Sequence, residues 1–298
     1  MEKDCYFKMR KIFIFLSLFV VNDIFADFGE TGWIIFKKIE SVKFKTLSTI
    51  SSVSGDLVGI FYNPALIGTN FSKELFFISE FGLVEDKTYG FIYGMPLKKG
   101  GIGAGVFYFN AGKMELNWIE NGSLKTETVS AQRDVLGFMS YGGQLEVNSF
   151  WGVNLKFANS EIAEKEKAMA VSLDFGLFFN PLEKFDFSIT LNNLGITTEF
   201  IERKESLPFF CFIGIGIHFG RDIFFRPVAG YRYYLYEKEG ITEIGLEFGY
   251  LPITVNFGYC VGFEKSKLHF GILLSQKNFE FGYAYIPGVY LNSIHRLN

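Results

Sequence analysis

The stretch GITEIGLEFGYLPITVNFGYCVGF, Gly240 to Phe263, decides the fold. From Ile244 to Tyr250 every second residue is apolar (Ile244, Leu246, Phe248, Tyr250), and Gly245, Glu247 and Gly249 lie between them. After a Leu251-Pro252 break the pattern resumes. Ile253, Val255, Phe257, Tyr259, Val261 and Phe263 share one face, and Thr254, Asn256, Gly258, Cys260 and Gly262 share the other. A period of two over such segments means strands, not helix. The apolar face must meet either a second sheet or lipid, and the rest of the chain has to decide which.

Composition favours lipid. The 298 residues include 37 Phe, 15 Tyr and 32 Gly but only 7 Pro, and 20% of them are charged. A helical membrane protein of this size would show several apolar runs of about eighteen residues, and none occurs. A formal net charge of -3 argues against a nucleic-acid-binding chain. The alternation recurs in Ile102, Ala104, Val106; in Trp151, Val153, Leu155, Phe157; in Val171, Leu173, Phe175; and in Leu268, Phe270, Ile272, Leu274. Between these stand polar residues such as Asn154, Lys156, Asp174, Glu243, Glu247 and His269. A soluble sandwich would leave some strands with polar outer faces and protected edges. Here nearly every strand has an apolar face, with Tyr or Phe near many strand ends. The expected fold is all-β, a transmembrane antiparallel β-barrel of about fourteen strands.

Domain organisation follows. Lys8, Arg10 and Lys11 precede an apolar run from Ile12 to Val21 and an Ile24-Phe25-Ala26 cleavage site. Residues 1–26 thus read as a secretory signal peptide, too short in its apolar part to span comfortably. Met9 is an alternative start. Residues 27–73 lack the two-residue period, and residues 74–298 carry it. Compact connections (LKKGG, NPLEK, GR, LP, QKN) alternate with longer charged ones (ENGSLKTET, SEIAEKEKA, ITTEFIERKES, PGVYLN), as short inner turns alternate with outer loops in barrels of the bacterial outer membrane. An even strand count needs a last short strand over Ser293 to Asn298. The pattern is weakest over Lys113 to Gln132, which reads as one long hairpin tip, and over Asp134 to Tyr141. Cys211 falls on the outer face and Cys260 on the inner one, which excludes a simple disulfide between them.

Three blocks carry a resemblance. SGDLVGIFYNPALIG, LNNLG (Leu191 to Gly195) and YAYIPGVYLNSIHRLN together resemble the FadL-like outer-membrane transport superfamily, particularly its PorV/PorQ and UPF0164 branch. The resemblance implies a fourteen-stranded barrel with an N-terminal plug in the lumen, and it places Gly55, Asp56, Asn63, Pro64 and Ala65 in that plug. Asn-Pro also suits the start of a helix. The resemblance further implies sideways release of hydrophobic substrates at a kinked third strand. In that strand Asn110, Ala111 and Gly112 interrupt the alternation, and an ordinary rim loop would do so equally. Leu66-Ile67 and the terminal Leu297-Asn298 depart from the family pattern.

No enzyme is expected: the three histidines are scattered, and GGIGAGVFYF precedes a strand instead of a helix. No metal or cofactor is implied. If the loop EKEG pairs Tyr236 with Ile241, Arg232 falls opposite Gly245, with Glu243 and Glu247 as diagonal neighbours in a lumen charge cluster. The cluster is either a selectivity ladder or a lumen-bracing ion pair. The expected function is passive transport of hydrophobic, fatty-acid-like molecules across the outer membrane, with lipid and the apolar ligand as partners. The alternative is a PorV/PorQ-like component of a protein secretion system, binding secretion-system proteins, and a surface antigen is a third reading.

Overall fold

A computed structural model describes residues 33–47, 57–69, 72–82, 86–182, 184–200, 203–262, 267–287 and 294–298. The expected signal peptide, Gly55 and Asp56 lie outside these described residues. Among the described residues nineteen strands follow one another: β1 (Glu74–Phe81), β2 (Lys87–Leu97), β3 (Gly100–Asn110), β4 (Lys113–Glu120), β5 (Ser123–Ser130), β6 (Gln132–Glu146), β7 (Ser149–Ile162), β8 (Glu166–Leu182), β9 (Phe185–Thr197), β10 (Glu199–Phe200), β11 (Arg203–Lys204), β12 (Phe210–Ile217), β13 (Phe219–Gly220), β14 (Ile223–Tyr234), β15 (Glu239–Tyr250), β16 (Ile253–Gly262), β17 (Lys267–Gln276), β18 (Phe279–Ile286) and β19 (Ile294–Leu297). The pairs β4–β5 and β10–β11 form separate ribbons. β12 and β13 both pair with β14 and make one strand of the wall, which leaves fourteen.

These fourteen close into an antiparallel barrel: the sheet runs from β12 through β9 and β1 round to β14, and β12 pairs β14. β1 pairs β19, but that ladder spans only Ser79–Phe81 opposite His295–Leu297. The alternation maps onto the wall as two-residue periodicity requires. Phe248 is 50% exposed on the outside, whereas Glu243 and Glu247 are 2% exposed on the inside. Leu246, Phe257, Leu274 and Phe281 join the outer band, while Asn154, Lys156, Asp174, Asp186 and Asn192 are buried within. A closed barrel with an apolar exterior and a polar interior is a membrane-spanning design, because every strand edge is paired and the exterior suits hydrocarbon.

At one end one sequence expectation needs adjusting, and the expected long hairpin tip is present. SEIAEKEKA is mostly strand, since β7 runs to Ile162 and β8 starts at Glu166, so the wall itself rises there. The stretch over Lys113 to Gln132 is a ribbon, registered Lys113↔Ser130 to Glu120↔Ser123, that stands clear of the barrel sheet.

The lumen is occupied. A helix Ile35–Lys38, a helix Val42–Leu47 and two 3-10 turns, Leu57–Phe61 and Pro64–Thr69, lie inside. Trp33, Phe36, Phe44, Leu47, Phe61, Tyr62 and Ile67 are buried. Their rings interlock with the wall: Phe61 meets Phe107 at 5.7 Å and Phe138 at 5.4 Å between centroids. Such edge-on aromatic contacts add to ordinary apolar burial.

Candidate functional site: the seated N-terminal segment

The main chain of the segment comes closest to the wall at glycines. Asn63 accepts a hydrogen bond at Oδ1 from the Ala65 amide (3.1 Å), which starts the Pro64–Thr69 turn with proline in its first position. Asn63 also donates through Nδ2 to the Leu177 carbonyl (3.3 Å) and to Ser188 Oγ (3.4 Å). The Asn-Pro pair is therefore a helix start and a wall contact at once. Glycine allows this approach: a Cβ on Gly152 would lie 2.3 Å from the Pro64 carbonyl carbon, and one on Gly176 would lie 2.1 Å from Asn63 Oδ1. On the far wall Gly245 admits the Leu47 carbonyl in the same way, at 2.3 Å from a notional Cβ. Side chains at these positions would push the segment off the wall.

Beside this seat lies a buried polar knot. Lys156 Nζ pairs with Asp174 Oδ2 at 2.7 Å, donates to Asn193 Oδ1 at 3.0 Å and stands 3.7 Å over the Phe61 ring. Asp174 Oδ1 accepts from the Asn193 amide at 2.7 Å, and Asn154 Nδ2 donates to the Ile60 and Phe61 carbonyls at 2.8 and 3.0 Å. The LNNLG block makes this possible. The β8–β9 register shifts at Asp174, Asn193 takes φ +64, and Asn192 and Asn193 both turn inward. A bulge of this kind re-aims one extra side chain. Its Nδ2 then donates to the Pro208 carbonyl (2.9 Å).

A second contact comes from the last strand. Arg296, 1% exposed, donates through Nε to Glu80 Oε2 at 2.8 Å and through Nη2 to the same carboxylate. It also donates through Nη1 to the Glu40 carbonyl and through Nη2 to the Lys38 carbonyl at 3.0 Å. One guanidinium thus ties β19 to β1 and both to the luminal segment. Glu40 in turn pairs with Lys45 at 2.7 Å. Burial alone would raise the Glu40 carboxyl, but Lys45, Arg296 and Arg232 outweigh it and hold it at about 2.

The expected charge cluster is rearranged. Arg232 does meet Glu243, at 2.5 Å, but it lies opposite Ile241 and not Gly245. Glu247 pairs instead with Arg226 at 3.0 Å and with Lys43 of the luminal helix at 3.3 Å. The tight turn sits two residues earlier than EKEG suggests, with Tyr234 opposite Glu239. Lys238 adopts the left-handed φ of +54, and Gly240 is kept free of a side chain for the Tyr231 ring, whose hydroxyl would lie 2.1 Å from a Cβ there. Beyond Arg226 the chain of contacts continues. Arg226 Nε donates to His218 Nδ1 at 3.0 Å, and His218 Nε2 meets Asp186 Oδ2 at 2.5 Å.

Asn110, Ala111 and Gly112 form the bend by which the β4–β5 ribbon leaves the wall. Asn110 Oδ1 accepts from the Gly112 amide (2.8 Å), and Gly112 takes φ +86. The β3–β6 ladder is paired as far as Asn110↔Arg133, and Ala111 N donates to the Gln132 carbonyl at 2.9 Å. Near the other wall, a cavity of about 100 Å³ is lined by Glu40, Lys45, Arg232, Glu243 and Cys260. Tyr234, Ile241, Ile286 and Ile294 also line it, so its lining is mixed, part charged and part apolar.

No protein-family model matches the chain, and no curated protein matches it. Solved structures do. The toluene transporter TodX of Pseudomonas putida aligns with TM-score 0.60 and 14% identity over 93% of this chain and 98% of that one. The toluene transporter TbuX of Ralstonia pickettii aligns with TM-score 0.59 and 10% identity over 88% and 97%. The fold is that of the FadL-like barrels. A TodX variant described as a monoaromatic hydrocarbon channel aligns likewise, with TM-score 0.57 and 11% identity over 85% and 95%.

Proposed function

We propose that this chain is a bacterial outer-membrane transporter that passes hydrophobic small molecules, fatty-acid-like in class, without cofactor or covalent chemistry. The observation that carries the reading is the lumen filled by residues 33–47 and 57–69, whose aromatic rings interlock with the wall. An open porin needs a wet passage, whereas an apolar guest can displace side chains from such a packed surface as the segment shifts. The fold shared with two toluene transporters supports the same class of cargo. In this scheme residues 1–26 direct export and are removed, and residues 27–73 act as the plug, Gly55 and Asp56 included. Cargo enters on the long-loop side and leaves beyond the plug or sideways, and a sideways exit at Asn110–Gly112 requires the end of the β3–β6 ladder to part. A role as a PorV/PorQ-like secretion component has no observation in its favour. The test is binding by the purified barrel of a fluorescent fatty acid, with toluene as competitor. Saturable binding displaced by apolar competitors supports the proposal, and absence of binding by a correctly folded barrel overturns it.

A further inference from the structure

The outer wall carries a groove of about 470 Å³ across β2, β3, β6, β7 and β8. Its residues fall in register. Tyr93 is opposite Ala104, Ala104 opposite Met139, Met139 opposite Leu155, and Leu155 opposite Leu173. The row therefore runs across five strands, a length of about 19 Å at the usual strand spacing. Ala104 is its small member between Tyr93 and Met139, and the next row adds Met95 and Tyr141. Gly103, Ser140 and Asn154 also border the groove, and since Ser140 and Asn154 bury their side chains inside the barrel, the floor there is main chain. One row of the far wall is filled over four strands: Leu246, Phe257, Phe270 and Tyr285 stand opposite one another with no small residue among them.

We infer that this groove is a binding site for one acyl chain of a bilayer lipid. The inference rests on the membrane reading of the barrel and not on transport. The groove is continuous with the apolar outer band, so whatever covers that band covers the groove, and in a bilayer that is hydrocarbon. A void on such a surface forfeits dispersion contacts, so a chain lying in it is held more firmly than one passing over a convex wall. Its size suits a single chain: a methylene is close to a water in volume, about 30 Å³, so the groove accommodates roughly fifteen carbons. Methionine at positions 95 and 139 lets the rim adapt to chain shape. The floor is also thin. A Cβ on Gly103 would lie 2.5 Å from Ile60 Cδ1 of the luminal segment, so one layer of backbone separates the acyl chain from the plug.

The experiment uses the full chain in vesicles of phosphatidylethanolamine and phosphatidylglycerol, doped with a phospholipid carrying a diazirine midway along one acyl chain. After irradiation, labelled residues are mapped by mass spectrometry. Labelling around Ala104, Met139 and Tyr141 is expected to exceed that around Leu246, Phe257 and Phe270 several-fold. Ala104→Trp, which fills the groove from the outside, should remove that excess and leave the reference row unchanged, and Met139→Trp should act in the same direction. Even labelling of the two walls, or an excess that survives both substitutions, overturns the inference. Failure of the wild-type barrel to insert, with no lipid labelling anywhere, overturns the membrane reading together with it.

Discussion

Replacing Arg296 by Gln removes a side chain of the last strand that touches both the first strand and the luminal segment. The Glu80 carboxylate, 3% exposed, would lose its guanidinium, and the Lys38 and Glu40 carbonyls would lose their donor. Taking one partner from a buried pair costs about 3–5 kcal/mol. Lys38 Nζ stands 3.7 Å from Glu80 and offsets part of the orphaned charge, which puts the expected loss near the lower end, about 3 kcal/mol. That corresponds to roughly a hundredfold shift from seated towards unseated. Two readouts separate the consequences. Because the β1–β19 ladder is only Ser79–Phe81 long, the urea midpoint for loss of the fast-migrating folded form on an unboiled gel should fall, and sugar leak through the reconstituted barrel should rise. Adding Glu80→Gln to Arg296→Gln should recover much of the loss, since no carboxylate is then left unpaired. An Arg296→Gln barrel with wild-type midpoint and leak would refute the reasoning, as would a double variant worse than the two single effects combined.

Other substitutions probe the seat and its charges. Gly152→Val drives a side chain into the Pro64 main chain and should cost about 1–3 kcal/mol as overpacking, read as sugar leak from a barrel that still shows heat-modifiable migration. Arg226→Ala takes from Glu247 one of two cations and leaves Lys43 of the luminal helix in place, whereas Arg232→Ala strips Glu243 of its partner and weakens the hold on Glu40 of the luminal segment; protease cleavage near Lys43 should therefore rise for the second more than for the first. Glu40 supplies a pH dependence. Its carboxyl sits at about 2 in the folded chain against an ordinary 4.5, so its contribution, about 3 kcal/mol, is complete above pH 4.5 and lost as the pH falls through 2. Sugar leak should be flat from pH 8 to 5 and climb below 4.5, and Glu40→Gln should flatten that climb.

Much of the wall was legible because strand alternation is a local signal. Ile244 to Val261 face the way their spacing dictates, and the blurred stretch from Asp134 to Tyr141 still enters the ladder of β6. Asn63-Pro64 was legible as a turn, while its contact with Ser188 depended on closure of the barrel. The Arg232 register failed for a local reason: Gly240 looks like a turn glycine, yet it serves the Tyr231 ring, and Lys238 takes the left-handed conformation without glycine. Arg296, Glu80 and Glu40 were missed altogether. Nothing in a strand's own pattern sets its partner across the closing seam, and the pairing of residues 80 and 296 exists only once the ring is shut. The HR pair inside the closing IHRLN block was the available signal, because an arginine on the inner face of a strand needs a buried acid. The glycines at 152 and 176 were likewise visible as inward positions without side chains, a mark of close backbone approach.

The central claim is that the filled lumen admits apolar molecules and excludes small hydrophilic ones. The most direct measurement compares initial uptake of a radiolabelled long-chain fatty acid and of a labelled disaccharide in bacterial cells, with and without this chain in their outer membrane. The account predicts faster fatty-acid entry on expression with disaccharide entry unchanged. Faster disaccharide entry with fatty-acid entry unchanged would contradict it and make the barrel an open porin.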